Sequence, residues 1–367
     1  MRIAIVVPYV WRVHGNRLAF SLARSLADHH EVTVYVEVLQ ARLIEDVRNQ
    51  LSPATFRFLR ITSSEHLSDW QLLLRQLSRG GDRTICKALR QDHEVSRLDW
   101  VVSFANEGRW VGDYVSAWGG QGRPRTALVM MDPMDQVFLL ARERPHPRLR
   151  ELLSPLYPAL RQMEAQRIRR FDRLFSISRW VSQLCAFLYG LTPVASLAAV
   201  DGELFQPPNQ IDNSNPYIAV PTISVGTDGE TTLRRLFESG LPLVTYGPRA
   251  IPGVPHRGFL PESELVSFLQ RARLTLFVFD YEGLGLVPLE SLAVGTPVVT
   301  QPKGGPLVEL SGNRFVRFAS DLSGMLNECN SLMSAPKTDN LVSEARSTVS
   351  EYFAPVVATR WARYLES

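Results

Sequence analysis

Cysteine is scarce in this chain. Three occur in 367 residues, Cys86, Cys185 and Cys329, far apart and without metal-ligand spacing. That excludes a disulfide-stapled fold and points to reduced thiols in a cytosolic protein. Long apolar runs are missing too: no stretch is long enough to span a bilayer. The run Arg2-Ile-Ala-Ile-Val-Val-Pro8 is closed by Pro8 and does not resemble a signal peptide. A charge of one sign is also lacking. Forty Lys and Arg face 37 Asp and Glu, and a net charge of +3 is too small to argue for a nucleic-acid partner. No Asp-x-Asp or histidine cluster marks a metal, so none is expected. Neither Gly-x-Ser-x-Gly nor His-Glu-x-x-His is present, which removes the usual hydrolase signatures. The first apolar run is followed by Pro8-Tyr-Val-Trp-Arg-Val-His-Gly15, with no Gly-x-Gly-x-x-Gly, and this weighs against a dehydrogenase.

What is present is an alternation of short apolar runs and helical patterns. At 45% hydrophobic and 21% charged the composition is that of a soluble globular protein, and the length exceeds one ordinary core. Ile3 to Val7 reads as a buried parallel strand, then a loop, a helix from about Asn16 to Asp28, and a strand from Glu31 to Val36. This is the opening of a doubly wound sheet, whose ligands lie beyond the carboxyl ends of its strands. Further strands are expected at Phe56–Ile61, Trp100–Phe104, Ala127–Met131 and Leu174–Ile177. Helices are expected at His66–Leu77, Arg83–Gln91 and Trp180–Tyr189. Asp132 follows the Ala127–Met131 strand, at the edge where a ligand cleft would lie, or serves as a helix cap.

Arg142 to Arg173 is the most basic stretch, with nine arginines. A solvated helix face is the default reading of such a run; a dock for anionic lipid headgroups or a phosphorylated acceptor is the sharper one. Phe205 to Pro216, with Pro207, Pro208 and several amides, reads as a linker. The boundary falls there, giving a first domain over 1–204 and a second over 205–351, with a terminal helix in 352–367. The second domain is expected to run strand Tyr217–Val225, helix Thr231–Glu238, strand Leu243–Tyr246 and helix Glu262–Arg271.

The chain is organised around Asp280 to Leu310. An apolar run, Leu274–Phe279, reads as a buried strand, and Gly283 and Gly285 free the backbone where the next helix begins. The first amides of a helix have no partners within it and carry the positive end of its dipole, so they suit phosphates or hydroxyls. Glu290 lies among Leu286, Leu289, Leu292 and Ala293. A carboxylate on so apolar a helix needs donors, and a ribose diol would supply two.

The pattern Glu282-Gly-Leu-Gly-Leu-Val-Pro-Leu-Glu290, then Gly295-Thr-Pro-Val-Val and Gly304-Gly305 with Glu309, resembles the donor site of retaining GT-B glycosyltransferases of the family 4, group 1 type. The resemblance implies an α/β fold of two Rossmann-like doubly wound domains facing each other across a cleft, with the last helix crossing back onto the first domain. It implies that Glu282 holds hydroxyls of the donor sugar, that Gly283, Leu284, Gly285, Leu286 and Val287 contact sugar and phosphate through the turn, and that Glu290 holds the nucleotide ribose. Gly15 stands where the family carries a Gly-Gly pair, and Asp132 is assigned to the acceptor side. The implied partners are a nucleotide-diphosphate sugar as co-substrate and a carbohydrate, lipid-linked or small-molecule acceptor. No cofactor is implied. Cytoplasmic placement is expected, with peripheral membrane contact through Arg142–Arg173 if the basic stretch docks on lipid.

One departure stands out. After the first strand of the second domain the family carries an arginine and, about five residues on, a lysine that neutralise the donor diphosphate. Here the run is Ser224-Val-Gly-Thr-Asp-Gly-Glu-Thr-Thr232, with two acids and no base. Arg234, Arg235, Arg249 and Lys303 are the available cations; Arg249 is assigned to donor binding and Lys303 to catalysis beside the leaving group. Three readings follow: a retaining, metal-independent glycosyltransferase; a non-catalytic GT-B subunit that binds a nucleotide or partner; and a Rossmann oxidoreductase.

Overall fold

The computed structural model describes residues 1–10, 17–40, 44–58, 61–62, 82–104, 110–118, 122–133, 155 and 157–367. Contacts divide the chain into two compact units. One draws its described residues from Met1–Asp135, Leu153–Ala199 and Ala354–Ser367, the other from Val200–Phe353.

The first unit begins β1 (Arg2–Val10), α1 (Arg17–Ala27), β2 (Glu31–Gln40), α2 (Ile44–Leu51), β3 (Thr55–Phe58) and β4 (Ile61–Thr62). It continues α3 (Asp82–Ser96), β5 (Trp100–Phe104), α4 (Trp110–Ser116), β6 (Arg125–Met130), α5 (Tyr157–Ile168), β7 (Arg173–Ser176) and α6 (Arg179–Tyr189). The strands pair in parallel in the order β3-β2-β1-β5-β6-β7, with β4 beside β2. Helices cover both faces of such a sheet, so its central strands are apolar without alternation. Ile3, Ala4, Ile5 and Val6 are all at most 1% exposed. α6 shows how local chemistry sets an element: the Ser178 hydroxyl accepts from Val181 N at 3.0 Å, and Gly190 closes the helix at φ +63°. The C-terminal helix Ala354–Glu366 packs on α1, with fully buried Trp361 against Phe175 at 4.3 Å.

The second unit runs β8 (Ile218–Pro221), α7 (Thr227–Glu238), β9 (Leu243–Tyr246), α8 (Glu262–Arg271), β10 (Leu274–Phe277) and α9 (Leu286–Ala293). After these come β11 (Val298–Thr300), α10 (Gly304–Leu310), β12 (Val316–Phe318), α11 (Leu322–Ser334) and α12 (Asp339–Ser347). Its parallel sheet is ordered β12-β11-β10-β8-β9. The chain winds outward from β8 to β9, then returns to place β10 on the other side of β8. The crevice between β8 and β10 is therefore the topological switch point, where doubly wound sheets bind ligands.

Several expectations need adjusting. The strand expected over Tyr217–Val225 ends at Pro221, and the helix expected from Thr231 starts four residues earlier, because Gly226 takes the N-cap. β2 continues past Val36 to Gln40, and the strand expected over Phe56–Ile61 appears as Thr55–Phe58 and Ile61–Thr62. The helix expected at His66–Leu77 lies outside the described residues.

Candidate functional site

Turns leave the carboxyl ends of β8, β10 and β11 and meet one another. The β10 turn is held by its own glutamate: Glu282 Oε1 accepts from Leu284 N at 3.3 Å and Gly285 N at 3.1 Å. Glu282 Oε2 accepts from Ser224 Oγ, on the β8 turn, at 3.3 Å. Glu282 is only partly shielded as a residue, but its carboxyl group is enclosed by these donors. Burial raises its pKa above the ordinary carboxylate range, against the opposing pull of the Gly285 and Leu284 amides and the Ser224 hydroxyl. Asp280 N donates to Ser224 O at 3.0 Å, a second link across the switch point.

The two glycine turns lock together. Gly305 N donates to Glu282 O at 2.9 Å, and a Cβ on Gly305 would fall 2.3 Å from Gly283 O. Gly285 adopts φ +94° as the cap of α9, a conformation that disfavours any side chain. This interlock is the physical reason the Glu282–Glu290 segment and the Gly304-Gly305 pair occur together. Glu290, one helical turn into α9, is 3% exposed. Lys303 caps α10 with its Nζ 5.0 Å from the centroid of the Phe279 ring, and Phe279 stacks on Phe277. Glu309 accepts from Tyr352 OH at 3.0 Å.

The Gly295-Thr-Pro segment forms scaffold. A Cβ on Gly295 would meet Val342 at 2.4 Å, and Thr296 Oγ1 donates to Leu269 O at 2.7 Å while accepting from buried Lys337 at 2.7 Å. Burial pushes the Lys337 pKa down to about 7, with Arg273 adding to the effect.

The cations sort clearly. Arg234 and Arg235 are exposed on α7, beyond its first turn. Arg249 instead reaches the β8 turn: its Nη2 pairs with Glu230 Oε2 at 2.7 Å, and its Nη1 donates to Val225 O at 3.4 Å. Ser224, Asp280 and Glu230 had no assigned role in the sequence, although Asp280 and Glu230 stand inside the motif and the acid-rich run. Among the described residues no group of three or more His, Cys, Asp or Glu could hold a metal. Gly15 lies outside the described residues. Asp132, in the first unit, is half-buried just past β6. Of the basic stretch, residues 142–154 and 156 are outside the description; Arg170 pairs with Asp113 at 2.9 Å, and Arg167 is buried. No helix among the described residues is long and apolar enough to cross a membrane.

Residues 252–337 match the family model described as Glycosyl transferases group 1. No curated protein matches the chain. Among solved structures, sucrose-phosphate synthase from Thermosynechococcus elongatus superposes with a TM-score of 0.72 at 14% identity, covering 100% of this chain and 98% of that one. Anabaena HepE in complex with UDP-glucose gives 0.68 at 14% identity over 100% and 99% of the two chains. The chain has the GT-B fold. A glycosyltransferase from Rickettsia africae matches it with a TM-score of 0.68 at 11% identity, covering 100% and 97%. The segment matching the group 1 model holds Glu282, Gly283, Leu284, Gly285, Leu286, Val287, Glu290, Lys303 and the Gly304-Gly305 pair. In this GT-B chain that segment supplies the β10 side of the switch point.

Proposed function

We propose that the chain is a glycosyltransferase that moves a sugar from a nucleotide-diphosphate sugar to an acceptor hydroxyl, with retention of anomeric configuration and without a metal. The observation that carries this reading is the pair of glutamates held on one interlocked turn at the switch point: Glu282 at its mouth and buried Glu290 on the helix behind it. The match to the group 1 model over this segment supports it, as does a similarly folded protein bound to UDP-glucose.

Glu290 takes the ribose diol, since a buried carboxylate gains most from two hydroxyl donors. Glu282 releases the amides of Leu284 and Gly285 to the donor and accepts from sugar hydroxyls instead. The acceptor oxygen bonds to the anomeric carbon as the bond to the diphosphate breaks. The diphosphate leaves with the electron pair on the same face and takes the acceptor proton on a phosphate oxygen. Lys303 stabilises the charge that develops there. Asp132 serves the acceptor, a carbohydrate, lipid-linked or small molecule.

Calorimetric titration with a panel of nucleotide sugars, followed by assay of free nucleoside diphosphate, tests this. Binding and release together support the enzyme. Binding with no release under any acceptor favours a nucleotide-binding subunit, a reading motivated by Asp228 and Glu230 in the first turn of α7, where the resemblance implies cations. No binding to any member removes both.

A further inference from the structure

The β8 turn lacks the basic pair that the resemblance leads one to expect, and the turn after β9 packs a cation against it. Thr222, at the end of β8, is 2% exposed; its Oγ1 donates to Tyr246 O at 3.0 Å and accepts from Arg249 N at 3.2 Å. Gly247 makes this approach possible: at φ +116° a Cβ there would lie 3.0 Å from Thr222 Oγ1. The turn after β9 is thereby fixed against the turn after β8, with the Arg249 side chain over Val225 O. Val225 lies between Ser224, which touches Glu282, and Gly226, where a Cβ would be 1.8 Å from Asp280 Oδ2. So the Arg249 guanidinium is anchored one residue from both contacts that bridge the switch point.

Negative charge gathers at the same place. Asp228 and Glu230 occupy the first turn of α7, and the Asp280 carboxylate faces its N-cap. A diphosphate entering there meets three carboxylates unless a cation offsets them.

We propose that Arg249 is the group that meets the donor diphosphate in this chain, and that Glu230 both presents it and competes with the diphosphate for it. This rests on the nucleotide-sugar reading above. The resting pair is half-exposed, with 41% and 23% of the two side chains accessible, so it exchanges cheaply for a partner of higher charge. A guanidinium also offers a planar fork that matches two phosphate oxygens, which a lysine does not. Glu230 is a positioning residue; Arg249 touches the substrate.

The test measures binding of the diphosphates of uridine, guanosine, adenosine and thymidine, and of the matching free nucleosides, to the parent and to Arg249→Ala, Arg249→Lys and Glu230→Gln. Arg249→Ala is expected to weaken the preferred diphosphate by roughly 10- to 100-fold while leaving the nucleoside unchanged. Arg249→Lys should fall between. Glu230→Gln should tighten the diphosphate by up to about fivefold, again without effect on the nucleoside. Unchanged nucleoside binding shows that each variant is folded at the site. Equal diphosphate affinity in parent and Arg249→Ala overturns this inference and leaves the nucleotide reading intact. Weaker binding by Glu230→Gln overturns the competition. A parent that binds no diphosphate overturns the nucleotide reading and this inference with it.

Discussion

Two helices begin on either side of the switch point, neither with a side-chain cap bond, and the turns that lead into them are held in opposite ways. α9 starts at Gly285 with no acid in its first turn, and the preceding turn supplies Glu282 to the amides of Leu284 and Gly285. α7 starts at Gly226, without a side-chain cap bond, and surrounds its first turn with Asp228, Glu230 and the Asp280 carboxylate. The α9 turn is backbone packed on backbone, with the Glu282 carboxyl group bonded to its amides. The α7 turn depends on side-chain charges, which Arg249 offsets from a neighbouring loop. One side of the site is thus defined by shape and the other by electrostatics, and substitutions should separate them.

The largest effect is expected where shape is strictest. Gly305→Ala forces a Cβ to 2.3 Å from Gly283 O, and no side chain can move to relieve it. It should cost about 1–3 kcal/mol of stability in denaturant titration and abolish nucleotide binding. Gly226→Ala, whose Cβ would meet first the Asp280 carboxylate, a side chain, should lose less, and Asp280→Ala should restore it. Equal losses at 226 and 305 would break the contrast.

Next comes Glu290→Ala, which keeps the fold but removes charge-assisted bonds to ribose of about 1.5–3 kcal/mol each. Calorimetry should show nucleotide affinity falling at least tenfold; unchanged affinity would remove the ribose role. Lys303→Ala is expected to lower turnover more than nucleotide-sugar affinity, because a cation beside the leaving group matters most as charge develops. Identical kcat in parent and variant would exclude it.

The smallest effect is a pH dependence. Burial raises the Glu282 pKa, so its contribution to stability is complete below the unfolded carboxylate value and declines as pH rises through the folded one. Glu282→Gln avoids that decline and should raise Tm at neutral pH more than at pH ~4, near the unfolded value. A gain independent of pH would mean the carboxylate carries no burial penalty. The same variant should keep measurable turnover, since an amide still accepts one hydrogen bond, whereas Glu282→Ala should lose far more.

Much of this was legible in the sequence, for identifiable reasons. Leu274 to Phe277 is buried on both faces, so its continuous apolar run announced β10; the two glycines and the spaced glutamates announced the turn and helix after it. β2 outruns its apolar pattern because Glu37 interrupts the run before Val38 and Leu39. α4 spans seven residues, too few for a 3.6-residue period to stand out. The scaffold part of Gly295-Thr-Pro was not separable from the binding part, since Thr296 owes its role to Lys337, 41 positions away. The Arg249–Glu230 pair was hidden for the same reason: it joins the first turn of α7 to the loop after β9, which only strand order brings together.

Whether the β10 turn holds the donor is decided by a crystal of the chain soaked with its preferred nucleotide sugar. The expected result is the ribose diol within hydrogen-bond distance of Glu290, sugar hydroxyls on Glu282 in place of its bonds to Leu284 and Gly285, and the diphosphate against Arg249. A nucleotide bound elsewhere, with Glu282 still capping its own turn, would contradict it.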